Sequence, residues 1–173
     1  MNHDSYSDDY IRGILTGVKT IAMVGASANA ARPSYFVLKY LSERGFTMLP
    51  INPGLAGETI HGLRVYASLV EVPQPIDMVD VFRRSEAAGE VVDAALALAS
   101  PPKVIWMQLG VRDDAAAARA EARGVSVVMN RCPKIEYGRL SGEIGWTGVN
   151  SRILSAKKSI AGAGFQRLSI DKR

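Results

Sequence analysis

The chain predicts an α/β fold in which a mainly parallel five-stranded sheet is doubly wound, with helices on both faces. Three observations predict it. Five short apolar segments, at 20–24, 46–51, 76–82, 103–107 and 125–129, read as strands buried on both sides. Helical periodicity fills three of the four gaps between them. A glycine, Gly25, follows the first strand where the chain must turn toward a helix. Strands alternating with helices build a parallel sheet, and 173 residues suffice for one such domain.

Ser7 is placed to cap a helix over 7–17, with Asp8 and Asp9 in its first turn and Tyr10, Ile11, Ile14 and Leu15 as apolar contacts. Thr20 to Val24 is the first strand. From Pro33 to Arg44 the apolar residues Phe36, Val37, Tyr40 and Leu41 recur at three- and four-residue spacing, Pro33 suits the first helical position, and Gly45 ends the helix. In the second strand, Pro50 requires the strand's end or a sheet edge, because proline cannot donate to a ladder. Residues 55–75 lack a helical period and read as loop, one extended piece and a helical turn. After the third strand, Ser85 and Glu86 open a helix through Ala99. After the fourth, Asp113 or Asp114 caps an alanine-rich helix that stops before Gly124. Right-handed crossovers then gather the loops that follow the strands into one crevice, beside the switch in strand order.

Residues beyond about 140 are poorly patterned, and no internal repeat appears. The expected organisation is one Rossmann-like domain over 1–150 and a basic tail over 151–173. The net charge of +4 sits in that tail, which holds six basic residues against one acid and leaves −1 for the rest. A near-neutral body with a basic end argues against a nucleic-acid surface. No apolar run is long enough to span a bilayer. The N-terminus lacks the pattern of a secretory signal, and the single cysteine, Cys132, forms no internal disulfide, so a cytoplasmic location is expected. The pattern leaves a protein partner or a homo-oligomer open.

The turn after the first strand carries the functional signal. A helix N-terminus offers free N–H groups and a positive dipole end. Ser27, Asn29, Arg32 and Ser34 enrich this turn in donors, and Arg32 is its only fixed positive charge. Gly25 is expected to let a phosphate approach closely. One glycine stands where a dinucleotide fingerprint has three. Asn52 ends the second strand where an NAD site usually has a carboxylate for the ribose. Both observations disfavour NAD, and an NAD(P)-dependent oxidoreductase using the same crevice is the alternative reading, resting on fold alone.

Six segments taken together, 21–27, Arg32 to Tyr35, 51–53, 76–83, 106–110 and Asn130 to Pro133, resemble the small bacterial CoA-binding proteins. The domain is also similar to the CoA-binding part of the succinyl-CoA synthetase alpha subunit. The resemblance implies coenzyme A, or an acyl-CoA, lying across the strand ends. Carried over by position, Gly25, Ala26 and Ser27 approach the phosphates, Asn52 and Pro53 the adenosine, Phe82 and Arg83 supply the next strand's contact, and Gln108 completes the crevice. Arg32 and Arg83, with Ser34 beside them, are the candidates for the ribose phosphate and pyrophosphate, since guanidinium pairs with phosphate in fork geometry. The synthetase's phosphorylated histidine has no counterpart: His3 is expected in a mobile terminus and His61 in the 55–75 excursion.

Other residues have plainer roles. A redox role for Cys132 would need nearby positive charge, from Arg131 or Lys134, but a free cysteine is commonly buried and inert. Asp80 reads as a hydrogen-bonded structural carboxylate, and Trp106 and Met107 as core. Of the neighbours Arg83 and Arg84, one serves the ligand and the other is solvated. No catalytic or metal-ligating arrangement stands out, so the sequence reads as a binding module without assigned chemistry.

Overall fold

The structure is a computed structural model that describes residues 1–142. The basic segment 151–173 and the end of the expected domain lie outside the described residues.

The chain opens with α1 (Asp8–Gly17), whose N-cap Ser7 accepts a hydrogen bond from the Tyr10 N–H. It continues through β1 (Thr20–Val24), α2 (Pro33–Glu43), β2 (Thr47–Ile51), β3 (Thr59–Ile60), β4 (Leu63–Arg64), β5 (Met78–Val81), α3 (Ala88–Leu96), β6 (Val104–Met107), α4 (Asp114–Ala122), β7 (Ser126–Val128) and α5 (Pro133–Leu140). The central sheet is parallel throughout, in the order β2-β1-β5-β6-β7. The chain therefore leaves β1 toward β2 on one side and later returns to pair β5 on the other. That reversal is the switch point, and its carboxyl end is where open α/β sheets bind ligands.

Strand residues alternate between two cores. Ala22, Leu49, Val79, Ile105 and Val127 face one way, against Ala88, Val92 and Ala95 of α3 and Ala116 and Ala120 of α4. Ile21, Met23, Met48, Met78, Trp106 and Val128 face the other, against Ile11 and Ile14 of α1, Val37 and Leu41 of α2, and Ile135 of α5. Trp106 is fully buried, and its indole N–H donates to the Arg131 carbonyl at 2.8 Å.

Local chemistry explains most boundaries. Gly45, at φ 88°, ends α2 in the left-handed conformation, with Phe46 N–H reaching back to the Leu41 carbonyl. Asp113 caps α4 by accepting from the Ala116 N–H at 2.9 Å. Pro50 lies inside β2, and β2 is an edge strand, as proline demands. The outer rim of β2 pairs briefly with Tyr66. At the opposite edge, the Tyr10 hydroxyl donates to the Val127 carbonyl and the Tyr6 hydroxyl accepts from the Met129 N–H, so side chains blunt an edge that could otherwise pair with another chain.

The structure corrects three expectations and adds one helix. The 55–75 excursion holds a two-stranded antiparallel hairpin, β3 with β4, where one extended piece was expected. Residues 133–140 form α5, which the sequence pattern does not place. Ser85 caps no α-helix, because the neighbouring loop recruits its hydroxyl, which donates to the Gly110 carbonyl and accepts from the Arg112 N–H. A 3-10 turn over Ser85–Ala87 then precedes α3. His3 is buried, its Nδ1 2.9 Å from the Tyr6 hydroxyl, where a mobile terminus was expected.

Candidate functional site

The carboxyl ends of β1 and β5 meet at Gly25. Its φ is 94°, and a Cβ added there would collide with the Phe82 carbonyl oxygen and stand 3.0 Å from the Phe82 carbonyl carbon. The absent side chain thus serves the approach of two strand ends. The Gly25 and Ala26 N–H groups both donate to the Ile51 carbonyl, at 3.0 and 3.3 Å, which fastens the turn to the end of β2. Asn52 fastens it again: its Nδ2 donates to the Ala26 carbonyl at 2.7 Å and its Oδ1 accepts from the Gly54 N–H at 2.9 Å. The asparagine at the end of β2 therefore has a structural task that the sequence does not reveal.

Beyond Ala26 the turn organises itself. The Ser27 hydroxyl accepts from the Asn29 N–H and the Asn29 side chain from the Ala31 N–H. Helix α2 then begins at Pro33, and its N-cap, Arg32, makes no side-chain capping bond, so the positive end of the helix is left for another acceptor.

These parts enclose a cavity of about 300 Å³ lined by Gly25, Ala26, Ser27, Arg32, Pro33, Ser34, Asn52, Phe82 and Arg83. Eight of the ten residues expected at the ligand thus surround one cavity at the switch point. Pro53 is exposed and opens a 3-10 turn next to it. Gln108 is buried, and its Nε2 lies 3.1 and 3.3 Å from the two carboxylate oxygens of Asp80. Asp80 is fully enclosed, and burial pushes its carboxyl up to about 8, against the opposing effect of the Gln108 bond, so it is mostly protonated at neutral pH.

Arg12, Arg112, Arg119 and Arg139 each pair with an aspartate. Among the described residues, Arg32 and Arg83 pair with no carboxylate. Arg84 is exposed and does not line the cavity. A larger cavity, of about 400 Å³, lies where β6 and β7 begin, with Lys103 on its rim. That lysine already holds Asp77 at 2.7 Å, and the site is remote from every carboxyl strand end, so location and charge both favour the switch-point cavity.

Cys132 is buried at the N-cap of α5, and burial pushes its thiol up to about 11. It is the neutral, inert thiol of the plainer reading. His61 is in the β3–β4 turn at φ 52°, its ring on Tyr35 and its Nε2 3.0 Å from the Tyr35 carbonyl. No helix among the described residues is long and apolar enough to cross a membrane.

Fold and cavity together define a Rossmann-like α/β protein with an arginine-lined cavity at the switch point. The chain belongs to the CoA binding domain family, which matches residues 19–138. It is 35% identical over 127 residues to Uncharacterized protein YneT of Bacillus subtilis (strain 168), a match covering 73% of this chain and 91% of that protein. Among solved structures, cell-free ID.343 from Thermus thermophilus is similar with a TM-score of 0.73 and 36% identity, covering 78% of this chain and 99% of its own. A hypothetical protein from Pyrococcus horikoshii OT3 is similar with a TM-score of 0.75 and 35% identity, covering 82% of this chain and 97% of its own.

Proposed function

We propose that this domain binds coenzyme A or an acyl-CoA at the switch-point cavity, as a sensor, carrier or regulatory module with no chemistry of its own. The observation that carries the reading is the pair of guanidiniums, Arg32 and Arg83, lining the cavity without a carboxylate partner among the described residues. Two exposed guanidiniums on one concave site are available to pair with the phosphate oxygens of an anionic ligand. Coenzyme A brings a pyrophosphate and a ribose phosphate, and family membership makes it the first ligand to test.

In this reading the phosphates sit against the uncapped start of α2, between Arg32 and Arg83, with the Ser27 and Ser34 hydroxyls beside them. Because Ile51 engages the Gly25 and Ala26 N–H groups, the serines and arginines do the holding and the glycine turn shapes the floor. Asn52, neutral and already bonded, tolerates a phosphorylated ribose that a carboxylate would repel. Calorimetric titration with CoA, dephospho-CoA, ATP and NADH tests this. CoA is expected to bind most tightly and dephospho-CoA more weakly. No CoA binding at millimolar ligand, or tighter binding of NADH, overturns it.

A further inference from the structure

The segment before α1 lies against the loops that follow β6 and β7, and side chains tie it there. The Tyr6 hydroxyl accepts from the Met129 N–H at 2.8 Å, His3 Nδ1 is 2.9 Å from the same hydroxyl, and the Arg131 guanidinium stands over the Tyr6 ring. Asp4 pairs with Arg112 at 2.8 Å. Those two loops are fastened in turn to the cavity wall. Asn130, in the left-handed region at φ 53°, accepts from the Gly110 N–H through its Oδ1. The Arg112 N–H donates to the Ser85 hydroxyl, which donates to the Gly110 carbonyl. Ser85 stands two residues after Arg83, which lines the cavity.

The hold on this segment is looser than its contacts suggest. Among the described residues, no backbone–backbone hydrogen bond involves residues 1–6. His3 Nε2 is also the one buried side-chain polar atom there without a hydrogen bond. The Tyr6 hydroxyl, accepting from Met129, keeps its own proton for Nδ1, so the ring proton falls on Nε2, 3.4 Å from Glu121 Oε1 and outside hydrogen-bond geometry. A buried donor left unbonded offsets part of what Tyr6 and Asp4 supply. Segments held this way open locally while the core stays folded.

We propose that residues 3–6 form a strap whose closing is coupled to occupancy of the switch-point cavity. Closed, the strap holds the 110–112 loop on Ser85 and so keeps Arg83 in the cavity wall; open, it lets that wall loosen. By linkage, a ligand that prefers the ordered wall closes the strap to the same degree. Occupancy is then carried from the cavity to the β7 edge, where the strap covers the Met129 N–H. This inference rests on the CoA reading and names the element through which a sensor would report its ligand.

Hydrogen exchange on the full chain tests it. In the wild-type protein, saturating CoA is expected to slow exchange at the Met129 amide about fivefold and to leave the Val18 amide, at the far end of α1, unchanged. Tyr6→Phe, which removes the hydroxyl and keeps the ring, is expected to speed exchange at the Arg112 amide and to weaken CoA about threefold. An unchanged Met129 rate with CoA bound, equal slowing at Val18, or a folded Tyr6→Phe variant that binds CoA as tightly as wild type overturns the strap and leaves the CoA reading standing. If the variant fails to fold, the wild-type rates decide alone. Absence of CoA binding to the wild type overturns both.

Discussion

Replacing Asp80 by asparagine makes the most exacting prediction, because two opposing costs can be worked out. The carboxyl is fully enclosed and titrates near 8, against an ordinary value of 3.8. Folding at pH 7 therefore takes up a proton that the unfolded chain lacks, at roughly 1.4 kcal/mol for each pH unit above 3.8, or about 4 kcal/mol in all. The sign follows: the folded state's greater affinity for a proton contributes stability that is complete below 3.8 and is lost as pH rises to about 8. Asparagine needs no proton, but Gln108 presents its Nε2 donor to this position, so the asparagine N–H groups meet no acceptor there, and a buried donor left unbonded costs roughly 1–3 kcal/mol. The Asp80→Asn variant is expected to be more stable than wild type by about 1–3 kcal/mol at pH 7 and close to it at pH 5. Urea unfolding of both proteins at pH 5, 6, 7 and 8 measures this. The stability difference should grow by about 1.4 kcal/mol per pH unit toward the upper end. A difference that does not change with pH would show that the carboxyl keeps its charge in the fold, and the reasoning would fail.

Three further outcomes are expected. Arg83→Ala removes a charged hydrogen-bond donor worth about 1.5–3 kcal/mol and should weaken CoA at least roughly tenfold by calorimetry, with the thermal midpoint unchanged because Arg83 is exposed. Gly25→Ala should destabilise the fold by roughly 2–4 kcal/mol in urea, since the added carbon meets the Phe82 backbone and the residue is held at φ 94°. Cys132, buried with its thiol pushed up to about 11, should resist a thiol reagent at pH 8 in the folded protein and react only at the rate of unfolding, whereas rapid labelling would place it in an open environment.

Strands and helix ends were legible because their signals are local. The run Thr20 to Val24 is a strand with the bounds its apolar pattern gives, and Ser7, Asp113 and Gly45 each act at the helix end where their chemistry places them. Pro50 correctly pointed to a sheet edge. Two-residue strands such as β3 and β4 are too short to show a period, so the hairpin could not be read. Helix α5 buries Glu136 beside Ile135, which breaks the apolar stripe, and only Pro133 at its start hinted at it.

The candidate site divides in the same way. The residues around the switch point could be gathered because each follows a strand. What each does there depends on partners distant in sequence. Gly25 answers to Phe82, Asn52 to Ala26, and Gln108 to Asp80, and no local pattern records those pairs. His3 was misjudged for the same reason, since Tyr6 anchors it and Tyr6 is itself bonded to Met129.

A crystal structure of the protein grown with coenzyme A tests the central claim most directly. The account predicts the pyrophosphate between Arg32 and Arg83 against the start of α2. Coenzyme A found instead in the cavity beside Lys103, or bound with both guanidiniums free of its phosphates, would contradict it.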